Sequence, residues 1–254
     1  MAMAVSAFRH TYIKVGRQLR LFSSKPVNGA SNRVKELLKS CNAVCFDVDS
    51  TVIQEEGIDV LAGFKGVGDA VTALTHQAMG GTVLFQDALK ARLDLIRPSQ
   101  IEISECVKCH PPSLSPDIRE VISVLHDRGV HVYLVSGGFR LMINPIATQL
   151  HIPLHRVYAN TITFHTDGTY SGFDATELTS RDGGKTEVLQ RLKERHGYDC
   201  MIMIGDGMTD LQARPPADAF IGFGGVTVRE NVREKADWFI TDFKELLTII
   251  TTAQ

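Results

Sequence analysis

Short apolar runs alternate with longer amphipathic stretches along most of the chain. Ala43-Val44-Cys45-Phe46, Val130 to Val135, Met201 to Ile204, Ala219 to Ile221 and Trp238 to Ile240 are four to six residues or fewer, too short for buried helices and rich in β-formers. They predict buried strands. The stretches between them carry helical spacing. Val34 to Lys39 predicts a short lead-in helix, and Thr186 to Lys193 another. In Pro116 to Arg128, Ile118, Val121, Ile122 and Leu125 form one apolar stripe while Arg119 and Glu120 face water. Strands alternating with helices predict an α/β fold with a doubly wound, mainly parallel sheet. Between the first two strands the chain is helix-rich and lacks strand-like runs, which predicts a small inserted helical cap over the sheet's carboxyl edge. Pro111-Pro112-Ser113 marks the return to the core. The expected organisation is an amino-terminal segment (1–31), a core (32–57 and 113–254) and a cap (58–112), with no internal repeat.

Three of these runs end in groups that carry chemistry. The first stops at Asp47-Val48-Asp49-Ser50-Thr51. Residues i and i+2 of a strand share a face, so a strand ending here sends both carboxylates into one small volume. Ligands of open α/β sheets bind at that edge. Like charges so close repel unless a cation neutralises them or one takes a proton. The third core run stops at Gly205-Asp206-Gly207-Met208-Thr209-Asp210, which adds two more carboxylates. The second ends at Ser136-Gly137-Gly138, a hydroxyl beside backbone free to approach phosphate oxygens, and Lys185 follows Asp182-Gly183-Gly184. Singly, each has an ordinary alternative as a solvated turn, a loop or a surface lysine. Together they predict a site for phosphoryl chemistry with a divalent metal.

In this order the four motifs resemble those of the haloacid dehalogenase superfamily of phosphatases. FDVDSTVIQEEGID (Phe46 to Asp59), AMGG (Ala78 to Gly81), SGGFR (Ser136 to Arg140), IGDGMTD (Ile204 to Asp210) and PPADAFIGFGG (Pro215 to Gly225) are similar to the branch that hydrolyses O-phosphoserine. The resemblance spans about Val34 to Leu247. It implies a Rossmann-like core, a role in serine biosynthesis, Mg²⁺ as cofactor and O-phosphoserine as the small-molecule substrate.

The resemblance also implies roles. Asp47 is the nucleophile, forming an aspartyl-phosphate, and Asp49 the acid and then base. Mg²⁺ is held by Asp47, the Asp49 backbone carbonyl and Asp206, with Asp210 orienting a metal-bound water or Lys185. Ser136, Gly137, Gly138 and Lys185 hold the phosphoryl oxygens. Glu56 meets the substrate ammonium and Arg92 its carboxylate. Met79, Gly80 and Phe85 shape the pocket, Thr209 lies at its edge, and Arg229 also matches. From the residues alone, Glu56 and Arg92 would pass for helix-surface charges.

Composition narrows the field further. The 254 residues are 44% hydrophobic and 22% charged, with net charge −2, enough for one sizeable core. No run approaches a membrane span. Residues 1 to 24 contain Arg9, Lys14, Arg17 and Arg20 and no acid, so the rest of the chain is net acidic, which argues against nonspecific nucleic-acid binding. That basic, hydroxyl-rich start resembles a mitochondrial targeting segment with a cut before Ser23; a plastid transit peptide and an untargeted cytoplasmic tail are the alternatives. Five cysteines without a secretory signal suit a reducing compartment. One motif points elsewhere: Cys106-Val107-Lys108-Cys109-His110 matches the C-x-x-C-H haem-attachment pattern. A phosphotransferase, or a phosphatase for another small metabolite, would share the core motifs. A homodimer is compatible with the resemblance, although no interface is legible.

Overall fold

Along β-strands, alternate side chains enter opposite layers, and the central strand shows this directly. In the computed structural model, which describes residues 27–78 and 83–252, Val44 and Phe46 enter one apolar layer while Ala43 and Cys45 enter the other. In chain order the elements are α1 (Val27–Ser40), β1 (Ala43–Phe46), α2 (Gly57–Phe64), α3 (Gly68–Ala78), α4 (Phe85–Ile96), α5 (Gln100–Cys109), α6 (Ile118–Asp127), β2 (His131–Phe139), α7 (Arg140–Gln149), β3 (Val157–Asn160), β4 (Ile162–Phe164), β5 (Tyr170–Phe173), α8 (Gly184–His196), β6 (Met201–Gly205), α9 (Met208–Gln212), β7 (Ala219–Phe223), α10 (Glu230–Arg233), β8 (Trp238–Ile240) and α11 (Lys244–Thr251).

Six strands form one parallel sheet in the order β3-β2-β1-β6-β7-β8. On one face lie α1, α6, α7 and α11, with Leu38, Ile122, Ile146 and Leu246 sealed against the strands; on the other, α8 contributes Val188, Leu189 and Leu192. This is the doubly wound α/β architecture expected. The order reverses at β1, whose neighbours β2 and β6 are reached in opposite directions, so the crevice beyond its carboxyl end is the topological switch point. Among the described residues no helix is long and apolar enough to cross a membrane.

Several boundaries differ from expectation. α1 begins at Val27, so the end of the segment set apart as 1–31 is helical. β2 runs on through Ser136-Gly137-Gly138 to Phe139 instead of stopping before them. β3 and the antiparallel hairpin β4–β5 were not anticipated. The hairpin joins the apolar core of the helices inserted after β1: Ile162 and Tyr170 pack with Leu61, Leu89, Leu93, Ile96 and Ile103. That helical unit, whose last helix ends at Cys109, is therefore completed by strands that begin only at Ile162.

The two arms linking it to the sheet pair with each other. Ile53 and Leu114 form an antiparallel bridge, Gln54 N donates to Ser113 O (2.9 Å), Ser115 N to Val52 O (2.9 Å) and Ser115 Oγ to Thr51 O (2.6 Å). Within the unit, α5 is closed at its start by a capping box: Ser99 Oγ accepts from Glu102 N (3.2 Å) and Glu102 Oε2 from Ser99 N (2.7 Å).

Candidate active site

Parallel pairing sets the depth of the site. Phe46 is level with Leu134 of β2 and Ile204 of β6, and the Asp47 amide continues the ladder to the Ile204 carbonyl (2.9 Å). Asp47 thus leaves the sheet where β1 and β6 end, beside Ser136 of β2 and Asp206. The chain then breaks from the strand: Asp49 stays extended, and Ser50 enters the left-handed region (φ 53°). A non-glycine residue there is uncommon and marks a tight turn. The turn swings Asp49 to the β2 side while Asp47 faces β6 and α8.

Lys185, in the first turn of α8, bridges two acids, with Nζ 2.8 Å from Asp47 Oδ2 and 2.6 Å from Asp210 Oδ1. Burial alone would lower the lysine's pKa, but Asp210 and Asp47 outweigh it and hold the ammonium charged. Asp210 has no exposure, and its other oxygen accepts from the Gly207 amide (3.0 Å). Glycine is needed at 205 because a Cβ there would overlap the Asp210 carboxylate. Both Asp210 oxygens are thus engaged, one by Lys185 and one by the Gly207 amide.

Asp206 Oδ2 accepts from Arg229 Nε (2.9 Å), and its Oδ1 faces Thr51 Oγ1 at 3.4 Å. Burial first, then the Asp47 charge, pushes both Asp206 and Asp210 upward. Oxygens of Asp47, Asp206 and Asp210 lie within 4.8 Å of one another. Four carboxylates, counting Asp49, here face two cations, Lys185 and Arg229. An all-oxygen donor set with that excess of negative charge fits a hard divalent cation.

Asp49 is tuned differently. Its Oδ1 accepts from the Gly57 amide (2.6 Å) and its Oδ2 from Ser136 Oγ (3.1 Å). Burial, then repulsion from Asp47, pushes it up to about 6, so it holds its proton to a higher pH than an ordinary carboxylate and can exchange it in the range where a general acid and base works. Gly138 N donates to Ser136 Oγ (2.8 Å), which makes Gly138 an orienter of that hydroxyl in this arrangement. A Cβ at Gly138 would come within 2.7 Å of Asp49 Oδ2.

These groups floor a cleft of about 190 Å³ that is walled by Glu56, Phe85, Arg92, Gly137, Thr209 and Arg229. Glu56 Oε1 accepts from Ser50 Oγ (2.7 Å) and lies 3.7 Å from Arg229 Nη2. Arg92 Nε donates to Ala88 O of its own helix (3.1 Å), leaving the rest of the guanidinium toward the cleft. Phe85 abuts Gly137, where a Cβ would meet its ring at 2.8 Å. A reciprocal pair of hydrogen bonds, Phe85 N to Asp182 Oδ2 (3.2 Å) and Asp182 N to Gln86 Oε1 (3.3 Å), ties α4 to the loop before α8. Met79 and Gly80 lie outside the described residues.

Sequence reasoning missed Thr51, Ser50, Asp182 and the cleft-lining Thr179, Arg181 and Gln212. Thr51 and Ser50 adjoin the first motif and could have been found there; the others carry no local signal. The C-x-x-C-H motif is corrected. Cys106 is sealed in the apolar core of the inserted unit, Cys109 points to solvent, and His110 packs edge-on against Phe64 (5.9 Å). Covalent haem needs both thiols beside one porphyrin, so this arrangement does not serve it.

The family model for haloacid dehalogenase-like hydrolases matches residues 41–218. The phosphoserine phosphatase of Bos taurus is 52% identical over 85% of this chain and 96% of its own length. The chloroplastic phosphoserine phosphatase of Arabidopsis thaliana is 49% identical over 85% of this chain and 74% of its own. A solved phospho-aspartyl intermediate analogue of phosphoserine phosphatase superposes with a TM-score of 0.70 at 28% identity, covering 82% of this chain and 98% of that one. The chain belongs to the haloacid dehalogenase-like hydrolases and, within them, to the phosphoserine phosphatase family.

Proposed function

We infer that the chain is a phosphomonoester hydrolase that converts O-phosphoserine to serine and phosphate. The observation that carries this is the pairing of Asp47, charge-matched to Lys185, with Asp49, which holds its proton more tightly than an ordinary carboxylate, on one side of a cleft whose opposite wall holds both a carboxylate and a guanidinium. Asp47 attacks phosphorus; an Oδ–P bond forms as the bond to the serine oxygen breaks, and Asp49 protonates that leaving oxygen. Asp49 then takes a proton from the water that splits the aspartyl-phosphate. Lys185, Ser136 and the Gly137 backbone face the equatorial oxygens, where positive charge and donors are needed.

The cation best suited to the site is Mg²⁺, with Asp47, Asp206 and the Asp49 carbonyl as its holders. When bound, it neutralises developing charge on the phosphoryl oxygens. Glu56 recognises the substrate ammonium and Arg92 its carboxylate, Phe85 closes over the carbon chain together with Met79 and Gly80, and Thr209 borders the phosphate end. Arg229 releases Glu56 when the ammonium arrives. The helical unit acts as a cap that shuts water out during transfer.

The test is phosphate release over a panel of phosphorylated metabolites with Mg²⁺, run alongside free-serine detection. Stoichiometric serine and phosphate, with O-phosphoserine the preferred substrate, is expected. Release from other esters with none from O-phosphoserine would overturn the assignment, and phosphate passed to an added alcohol would make the enzyme a phosphotransferase.

For location, the basic acid-free stretch before residue 25, which lies outside the described residues, supports import into mitochondria. A reporter fused to residues 1–24 should enter mitochondria; entry into plastids, as the name of the Arabidopsis relative would suggest, or retention in the cytosol contradicts it.

A further inference from the structure

On the far side of Asp49 from the catalytic cleft lies a second cavity, about 270 Å³, larger than the first. It opens to solvent past His110 and Pro111, which are exposed, while Ile53, Phe139, Ile143 and Ile146 at its base are buried. Its position is specific. Ile53 and Gly57 come from the outgoing arm of the paired neck and Pro112 from the returning arm; Phe139, Met142 and Ile146 come from the end of β2 and from α7. Anything lodged there touches both arms and the sheet-side helix at once.

The lining also says what kind of molecule fits. Its carbon-rich walls are bordered by polar groups that are already engaged: both Glu55 oxygens accept from Ser113 N (3.1 and 3.0 Å), and Asp49 Oδ1 accepts from Gly57 N (2.6 Å). The remaining polar ring, His110, packs on Phe64. An anion would lie beside two acids without a counter-charge, and a cation would have to displace the amides that already occupy their oxygens. The volume suits a compact molecule of up to three rings, just below the usual range of about 300–1,000 Å³ for ligand pockets.

We propose that this neck cavity is a binding site for a small neutral aromatic molecule, which occupies it while substrate occupies the front cleft and slows turnover by fixing the neck. Two links connect it to catalysis. Gly57 and Asp49 both line the cavity, so an occupant that displaces Gly57 moves the hydrogen bond that orients that carboxylate. Opening of a cap to release product bends the arms the molecule would clamp.

The test uses N-phenyl-1-naphthylamine, a neutral probe that fluoresces in apolar surroundings, with the full chain. Saturable one-site binding is expected, unchanged by saturating orthophosphate. The probe should lower kcat for phosphate release with little change in KM. Filling the cavity from opposite walls, with Ile146→Trp on α7 and Val60→Trp on α2, should weaken binding at least tenfold. Amide hydrogen exchange on the unaltered protein provides a check that does not depend on the variants folding: the probe should slow exchange in residues 53–57 and 110–114. No saturable binding, displacement by orthophosphate, equal affinity in both filled variants, or protection that spares both arms would each overturn the proposal. The binding and exchange readouts need no turnover, so they stand apart from the substrate assignment.

Discussion

The floor and the wall of the front cleft are built on opposite terms. On the floor, Asp47, Lys185, Asp206 and Asp210 are at most 8% exposed and are locked by charged contacts of 2.6–2.9 Å. On the wall, Glu56 and Arg229 are part-exposed and meet at 3.7 Å, and the hydrogen bond from Arg92 Nε goes to its own helix. Buried groups held in advance can stabilise transferring charge without rearranging. Loosely paired groups can exchange their partners for a substrate's charges at small cost. The difference separates chemistry from recognition: the sheet edge fixes the reaction, and the inserted helices choose what reacts.

The largest effect expected is at the floor. Asp47→Asn should remove turnover by roughly a thousandfold or more while leaving the fold intact, because an amide nearly preserves shape but is a poor nucleophile; steady-state kinetics with circular dichroism checks both halves. Full activity in excess chelator would equally break the account of the floor, which predicts loss with chelation and recovery with Mg²⁺. Lys185→Met should cost about 3–5 kcal/mol of unfolding free energy, since it leaves the acids that flank it buried without their cation. A denaturant midpoint close to the unaltered protein's would show that the pairing is not structural.

The wall should respond selectively. Arg92→Ala should lose about 2–4 kcal/mol of transition-state stabilisation toward O-phosphoserine, the scale of a broken buried charge pair, and much less toward an aryl phosphate lacking the carboxylate. Equal losses on both substrates would move Arg92 from recognition to support of the cap. The smallest effect concerns pH. Burial, then the Asp49 charge, pushes Glu56 up to about 7. Its ionised form, present above that pH, is the one that pairs with an ammonium. KM for O-phosphoserine should therefore fall several-fold from pH 6 to 8 relative to the aryl phosphate, and Glu56→Gln should flatten the ratio. For stability the sign is opposite: the folded chain holds a proton that the unfolded chain has lost between about pH 4.5 and 7, so this group's contribution declines as pH rises through that window.

The contrast also explains what could be read from the sequence. Floor residues sit at strand ends, where an apolar run stops on a carboxylate, so β1, β6 and the motifs after them were legible from periodicity and spacing. The wall was legible only through resemblance, because Glu56 and Arg92 occupy ordinary helical positions and meet the floor through tertiary packing. β3, β4 and β5 escaped because Asn160, Thr163 and Ser171-Gly172 interrupt them, so none is the unbroken apolar run that marked β1 and β8 at the same length. Ser136-Gly137-Gly138 suggested a loop by composition, yet β2 bulges through it: pairing with β3 holds at Val135, shifts across these three residues and resumes at Phe139 opposite Asn160. Arg181 reaches the cleft, and Asp182 the start of α4, from a segment with no motif of its own beyond the following lysine.

Trapping the covalent intermediate tests the division most directly. With O-phosphoserine turning over and the reaction quenched into borohydride, an aspartyl-phosphate at Asp47 is reduced to homoserine, which peptide mass spectrometry locates. The account predicts homoserine at position 47 alone, present in the unaltered enzyme, retained in reduced yield in Arg92→Ala and absent without substrate. Turnover with no modification at Asp47, or modification at another carboxylate of the floor, would contradict it.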